Sequence, residues 1–252
     1  MKKIKSGKII CTIECRMTSS RLPGKVLMDA IAGKSMLEIM VERVKKVAAI
    51  QEIILATTIN KTDDSIETLA KKLNISCFRG SEEDVLSRVL GAAKKFKGDI
   101  IVELTGDCPI IDPEIISQVI DCYFHNDCDY ASTGNPITYP AGMDTQVYST
   151  KILERADIEG ITPEDREHVS LYIVRNPAKF RLFTIVAPPA LKDTNISVTL
   201  DEKNDCELIR EVLRRLYSKN KYFSCYELVN LFKTEPSLLK INENVRRKKV
   251  IL

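Results

Sequence analysis

The sequence predicts an α/β fold: a mostly parallel central sheet, helices on both faces, and a smaller lobe inserted in the second half. Three observations carry that prediction. Short apolar runs alternate with amphipathic stretches through residues 8–124, the pattern of consecutive βαβ units. Residues 126–148 then break into Gly, Pro, Asn, Asp and Tyr with little helical period, as loops and short strands do. The chain has 252 residues, 44% apolar and 29% charged, so it can bury a large core without disulfides or a structural metal.

In chain order, strands are predicted over 8–13, 52–57, 75–78 and 99–104, and helices over 36–47, 63–73, 82–96 and 113–124, where apolar residues recur three and four apart. Two of these helices carry start signals. Ser81 with Asp84 resembles a capping box, and Asp112-Pro113-Glu114 sets a cap, a first-turn proline and an acid in order. Beyond the broken stretch, helices are predicted over 150–158 and from Thr162-Pro163-Glu164 to Arg175, where Pro177 ends the second. Strands over 181–186 and 196–200 and helices over 205–217 and 225–232 complete the reading. No low-complexity linker divides the chain, so one domain is expected over 1–235, with 126–200 as its lobe and 236–252 as a tail.

Charge excludes several classes. Thirty-eight Lys and Arg against 35 Asp and Glu leave +3, which makes no case for a nucleic-acid partner. Met1-Lys2-Lys3-Ile4-Lys5 imitates the start of a signal peptide, but the apolar stretch after it is short, carries Glu14 and runs into Arg16, so secretion is not expected. No run is long enough to span a membrane. Arg246-Arg247-Lys248-Lys249 is locally basic, and a run that short reads as solvated. The eight cysteines form no C-x-x-C and read as small buried hydrophobes in a reducing cytoplasm, not as a disulfide framework or zinc site.

The most informative segment is Arg16-Met17-Thr18-Ser19-Ser20-Arg21-Leu22-Pro23-Gly24-Lys25, directly after the first strand. In an open α/β sheet the loop at a strand's carboxyl end forms the ligand crevice. Here it offers Arg16, Arg21 and Lys25, the hydroxyls of Thr18, Ser19 and Ser20, and a glycine, a set suited to a polyphosphate. It matches neither the P-loop nor the dinucleotide fingerprint. Thr105-Gly106-Asp107-Cys108-Pro109 follows another strand end, where an acid can reach a magnesium ion shared with substrate phosphates.

R-x-x-S-S-R-L-P-G-K after an N-terminal strand resembles the CTP-binding loop of the CMP-sugar synthetases, cytidylyltransferases that activate 3-deoxy-manno-octulosonate and acylneuraminate. The likeness is strongest to their relatives of the spore-coat polysaccharide biosynthesis protein F type. Further motifs follow in the family's order: Phe78-Arg79-Gly80-Ser81 with Asp84 and Arg88, Thr105 to Pro109, Gly142-Met143-Asp144, Arg166-Glu167-His168, and Leu200-Asp201. The resemblance implies a three-layer, Rossmann-like nucleotidyltransferase fold, a Mg²⁺ cofactor on Asp107 and Asp201, and a homodimer formed through the lobe. It sets Arg16, Arg21 and Lys25 on the triphosphate, Arg79, Ser81 and Asp84 near the cytidine, and Tyr139, Gly142, Asp144, Glu167 and His168 toward the acceptor. Read as one helix, the Arg166 segment points Arg166 and His168 to nearly opposite faces, so one of them is structural. Asp84 and Arg88 also read as an ordinary i, i+4 ion pair. The chain departs from the family at Glu14-Cys15, where Gln-Ala is common, at Glu103, where arginine is common, at Gln146, where glutamate is common, and at Lys203, where proline is common.

The implied reaction is transfer of CMP from CTP to a sugar-acid-like acceptor with release of pyrophosphate, serving surface polysaccharide or glycoconjugate synthesis. Such transfer needs positioning and charge neutralisation more than a covalent nucleophile, which matches the cations and carboxylates present. The alternatives are a sugar-1-phosphate nucleotidyltransferase using another NTP, a catalytically silent nucleotide-binding subunit, and a glycosyltransferase. The last rests on the D-x-D spacing of Asp127-Cys128-Asp129, which follows a predicted helix and no strand end.

Overall fold

The apolar rhythm of the chain folds as a sheet sandwiched between helices. A computed structural model describes residues 6–247, so Met1 to Lys5 and Lys248-Lys249 lie outside the described residues. The strands are β1 (Ile9–Glu14), β2 (Asp29–Ile31), β3 (Lys34–Ser35), β4 (Glu52–Thr58), β5 (Ser76–Gly80), β6 (Ile100–Thr105), β7 (Tyr130–Ser132), β8 (Gln146–Ser149) and β9 (Leu182–Thr184). Among them run α1 (Met36–Val44), α2 (Asp64–Lys72), α3 (Val85–Lys95), α4 (Pro113–His125), α5 (Thr150–Glu159), α6 (Pro163–Glu167), α7 (Leu171–Arg175), α8 (Lys203–Leu216) and α9 (Cys225–Thr234).

Seven strands form the main sheet in the order β5-β4-β1-β6-β8-β7-β9. All are parallel except β8, which pairs antiparallel with β6 on one side and β7 on the other. Side chains alternate across each strand and build two cores. Ile10, Ile54 and Ile101 pack with α3, α5 and α7 on one face. Cys11, Ile13, Leu55, Val102 and Leu104 pack with α1, α2, α4, α8 and α9 on the other. Residues 126–200 supply β7, β8 and β9 to this same sheet and the helices α5 to α7.

Local chemistry explains most boundaries. Asp112 accepts from the Glu114 N–H and Pro113 opens α4, while Thr162 and Asp165 cap α6 reciprocally. Three expectations are corrected. The helix from Pro163 to Arg175 is two short ones: α6 stops at Glu167, His168 turns extended with φ −111° and ψ 90°, and α7 begins at Leu171. Helix α3 starts later than predicted, because Asp84 caps it by accepting from Ser87 N–H and Ser81 Oγ accepts from Asp84 N–H. Residues 196–200 join no sheet; they are held by a single bridge between Ala141 and Ser197 and by Leu200 N–H donating to the Asp107 carbonyl at 2.7 Å. The β2–β3 hairpin was not predicted, for its turn is Ala32-Gly33, with φ 54° and 73°, in place of the telling Asn-Gly.

Candidate active site

The parallel strands β1, β4, β5 and β6 end at one edge, where the loops after β1, β5 and β6 carry Arg16 to Lys25, Ser81 with Asp84, and Asp107. The loop after β1 doubles back on itself: Gly24 N–H donates to the Met17 carbonyl at 2.9 Å and Lys25 N–H to the Leu22 carbonyl at 3.2 Å. Gly24 has φ 72°, a left-handed value that favours glycine, and it launches the 3₁₀ turn of Lys25–Leu27. The resulting path turns the Lys25 ammonium inward.

Lys25 Nζ lies 3.4 Å from Asp107 Oδ2 and 3.3 Å from Asp201 Oδ1, so the two carboxylates face one point. The backbone brings them there, since the Leu200–Asp107 hydrogen bond sets residue 201 beside the β6 loop. Arg21 reaches the same carboxylate, Nη2 to Asp201 Oδ1 at 2.8 Å. Arg16 turns the other way and donates to the Glu82 carbonyl at 3.3 Å, with the Glu82 carboxylate at 3.6 Å. Ser19 is half-buried and Ser20 exposed in the open part of the loop. The structure thus gathers Arg21, Lys25, Asp107 and Asp201, and links Arg16 to the segment before α3.

The β5 residues divide. Arg79 is engaged away from the crevice by the carbonyls of Thr58 (2.9 Å) and Asn60 (2.7 Å) and the carboxylates of Asp64 (2.6 Å) and Glu67 (3.1 Å). Ser81 is exposed at the turn. Asp84 does not pair with Arg88. It takes a two-pronged bond from Arg166, Nε at 2.9 Å and Nη2 at 2.7 Å, and burial's upward push on its pKa is outweighed by Arg166 and the Ser87 N–H. Arg166 is therefore the structural member of its triplet, and it ties α6 to α3. Glu167 and His168 are exposed beyond it. Arg88 is buried under the turn and donates to the carbonyls of Ser81 and Glu82.

The acceptor candidates also separate. Tyr139 is 3% exposed and belongs to the core, not to the crevice wall. Gly142 has φ 102°, and a Cβ there would meet Val198 Cγ2 at 2.9 Å, so its role is the close approach to residues 196–200. Asp144 is half-buried; burial first, and the neighbouring Asp107 charge next, raise its pKa. Behind it lies a carboxylate pair absent from the expected set. Glu103 is buried, accepts from the Tyr148 hydroxyl, and burial lifts its pKa to about 7. Glu14 is raised by burial and by Glu103.

Asp63 was not foreseen either. It is fully buried and accepts from Met17 N–H at 2.9 Å, Thr57 Oγ1 at 2.7 Å, and Thr58 N–H and Oγ1 at 3.0 and 2.7 Å. One carboxylate thereby pins the cationic loop to the end of β4. The sequence signal was faint, an acid in the Asp63-Asp64 pair that reads as a helix start. Asp127 and Asp129, the D-x-D spacing, both pair with Arg181 before β7, at the sheet edge opposite Asp107.

The sequence model of the cytidylyltransferase family matches residues 10–231 of this chain. The chain belongs to the cytidylyltransferase family. It is similar to the spore coat polysaccharide biosynthesis protein SpsF of Bacillus subtilis, 33% identical with 90% of this chain and 95% of that one covered. A solved cytidylyltransferase from Leptospira borgpetersenii superposes with a TM-score of 0.88 at 32% identity, covering 96% of this chain and 99% of that one. CMP:2-keto-3-deoxy-manno-octonic acid synthetase, solved with CTP, shares the fold at a TM-score of 0.62 and 20% identity, covering 82% of this chain and 99% of that one. Among the described residues of this cytidylyltransferase no helix is long and apolar enough to cross a membrane.

Proposed function

We propose that this cytidylyltransferase transfers CMP from CTP to a hydroxyl of a small sugar-acid-like acceptor in glycoconjugate or surface-polysaccharide synthesis. The observation that carries the reading is Lys25, held by Asp107 and Asp201 at the sheet edge with Arg21 beside it. The acceptor oxygen attacks the α-phosphorus, a new P–O bond forms, the α–β bridge breaks, and pyrophosphate leaves while the hydroxyl proton passes to water. Arg21 and Lys25 neutralise the triphosphate and then the leaving pyrophosphate, and Arg16 binds from the Glu82 side. Ser19 and Ser20 offer hydroxyls to the phosphates, and Ser81 lies with the β5 turn on the nucleoside side. Asp144, Glu167 and His168 are the acceptor-side groups.

Mg²⁺ suits the donor set, because Asp107 and Asp201 present hard oxygens around the point where the Lys25 ammonium now sits. Bound there, it would act as a Lewis acid on the phosphates. A cytoplasmic homodimer completes the proposal. The eight cysteines are all free thiols, and the lobe exposes Ile137, Ile158, Ile161 and Val186 to a partner.

The test is pyrophosphate release with CTP, Mg²⁺ and a panel of 2-keto-3-deoxy and nonulosonic sugar acids. Release that needs both CTP and one acid is expected. Release only with a sugar 1-phosphate and another NTP would replace this reading by the sugar-1-phosphate alternative.

A further inference from the structure

The carboxyl end of the chain returns to the site. After the 3₁₀ turn of Pro236–Ile241, Asn242 donates to the Ser197 carbonyl at 3.0 Å and to Asp205 at 2.7 Å. Arg247 then donates to Thr199 Oγ1 at 2.7 Å and to Asp205 Oδ1 at 2.9 Å, and its Nη1 lies 3.6 Å from Asp201 Oδ2. The Arg246 carbonyl accepts from Arg21 at 3.3 Å. The basic run expected to be solvated is thus laid across the cationic loop, as far as it is described.

Asp201 consequently faces three cations: Arg21 at 2.8 Å, Lys25 at 3.3 Å and Arg247 at 3.6 Å. Two of them belong to the loop assigned to phosphate. Whatever polyanion the loop takes lies within reach of the third, whose side chain is 30% exposed. We propose that Arg247 is a nucleotide-binding residue, a cation delivered by the far end of the chain to the phosphates of CTP and of leaving pyrophosphate. The proposal rests on the cytidylyl-transfer reading above. Arg247 is also tied to Asp205, which is fully buried and takes the N–H groups of Asp201 and Glu202 at 3.1 and 2.9 Å. A purely structural staple would act there and nowhere else.

Calorimetric titration of the full chain with CTP, CMP and inorganic pyrophosphate, each with Mg²⁺, separates the two roles. Arg247→Ala should weaken CTP and pyrophosphate about tenfold while leaving CMP within about twofold, and Arg247→Lys should recover most of the loss, since the cation is kept. Unchanged CTP and pyrophosphate affinity in Arg247→Ala would overturn the proposal. So would an equal loss for all three ligands that Arg247→Lys does not repair. Failure of the underlying reading looks different: the wild-type chain would not bind CTP, and the pyrophosphate titration alone would still judge Arg247.

Discussion

Asp107 and Lys25 differ in what their loss should do. Asp107→Ala removes a carboxylate from a half-buried loop position whose backbone, not its side chain, holds residues 196–200, so the fold should persist while turnover falls at least a hundredfold. Near-normal turnover in that variant would remove Asp107 from the chemistry. Lys25→Ala should raise the KM for CTP by about tenfold or more while the variant still folds. Glu103 makes a different prediction, concerning pH. Burial lifts it from the usual 4.5 to about 7, with Glu14, Tyr130, Tyr148 and Ser170 around it and Gln146 opposite in register. The folded state then holds a proton that the unfolded chain has lost, so the contribution of Glu103 to stability is full below about pH 4.5 and is lost as the pH rises to about 7. Glu103→Gln removes that contribution and leaves the one from buried Glu14. Urea unfolding at pH 5 and pH 8 should show the variant gaining on wild type by about 2.5 kcal/mol across the interval; parallel curves would mean that Glu103 titrates normally.

Among the elements, the loop from Arg16 to Lys25 depends on one side chain outside it. Asp63→Ala would strand the Met17 N–H and two threonine hydroxyls, a loss of about 2–4 kcal/mol. Because the Met17 bond fixes the loop's path, CTP affinity should fall as well, measurable by titration below the variant's melting temperature. Unchanged affinity would show that the loop holds its shape by internal bonds alone. Asp63 also marks where the sequence ceased to be legible. The loop itself stood out, because it gathers three cations, three hydroxyls and a glycine within ten consecutive positions. A buried carboxylate that reaches back from residue 63 to residue 17 leaves no local pattern. The same holds for Arg166, whose partner Asp84 lies 82 residues away, while the nearer Arg88 suggested a helix pair that the structure does not form. Where caps and prolines set the boundaries, as at Asp112-Pro113, local reading succeeded; at Glu167 to Ser170 the helix breaks with no glycine or proline to announce it.

At the scale of the molecule, alternation of apolar runs foretold the parallel sheet and its two helical layers, because burial on both faces leaves a plain mark on sequence. It could not foretell that β8 runs against its neighbours, or that Asp201 arrives beside Asp107 through one carbonyl bond instead of a paired strand. Nor could it place the carboxyl end against the opening loop. Those contacts depend on chain paths between distant segments, and they are what turns scattered charges into a site. On the proposed function, this site is built for CTP. It is tested most directly by the melting temperature of the purified chain with Mg²⁺ and CTP, UTP, ATP, GTP or dTTP in turn, since a ligand of the folded state alone raises it by mass action. A rise with CTP that the other four do not match is expected; an equal or larger rise with another nucleotide, or none with any, would contradict a site built for CTP.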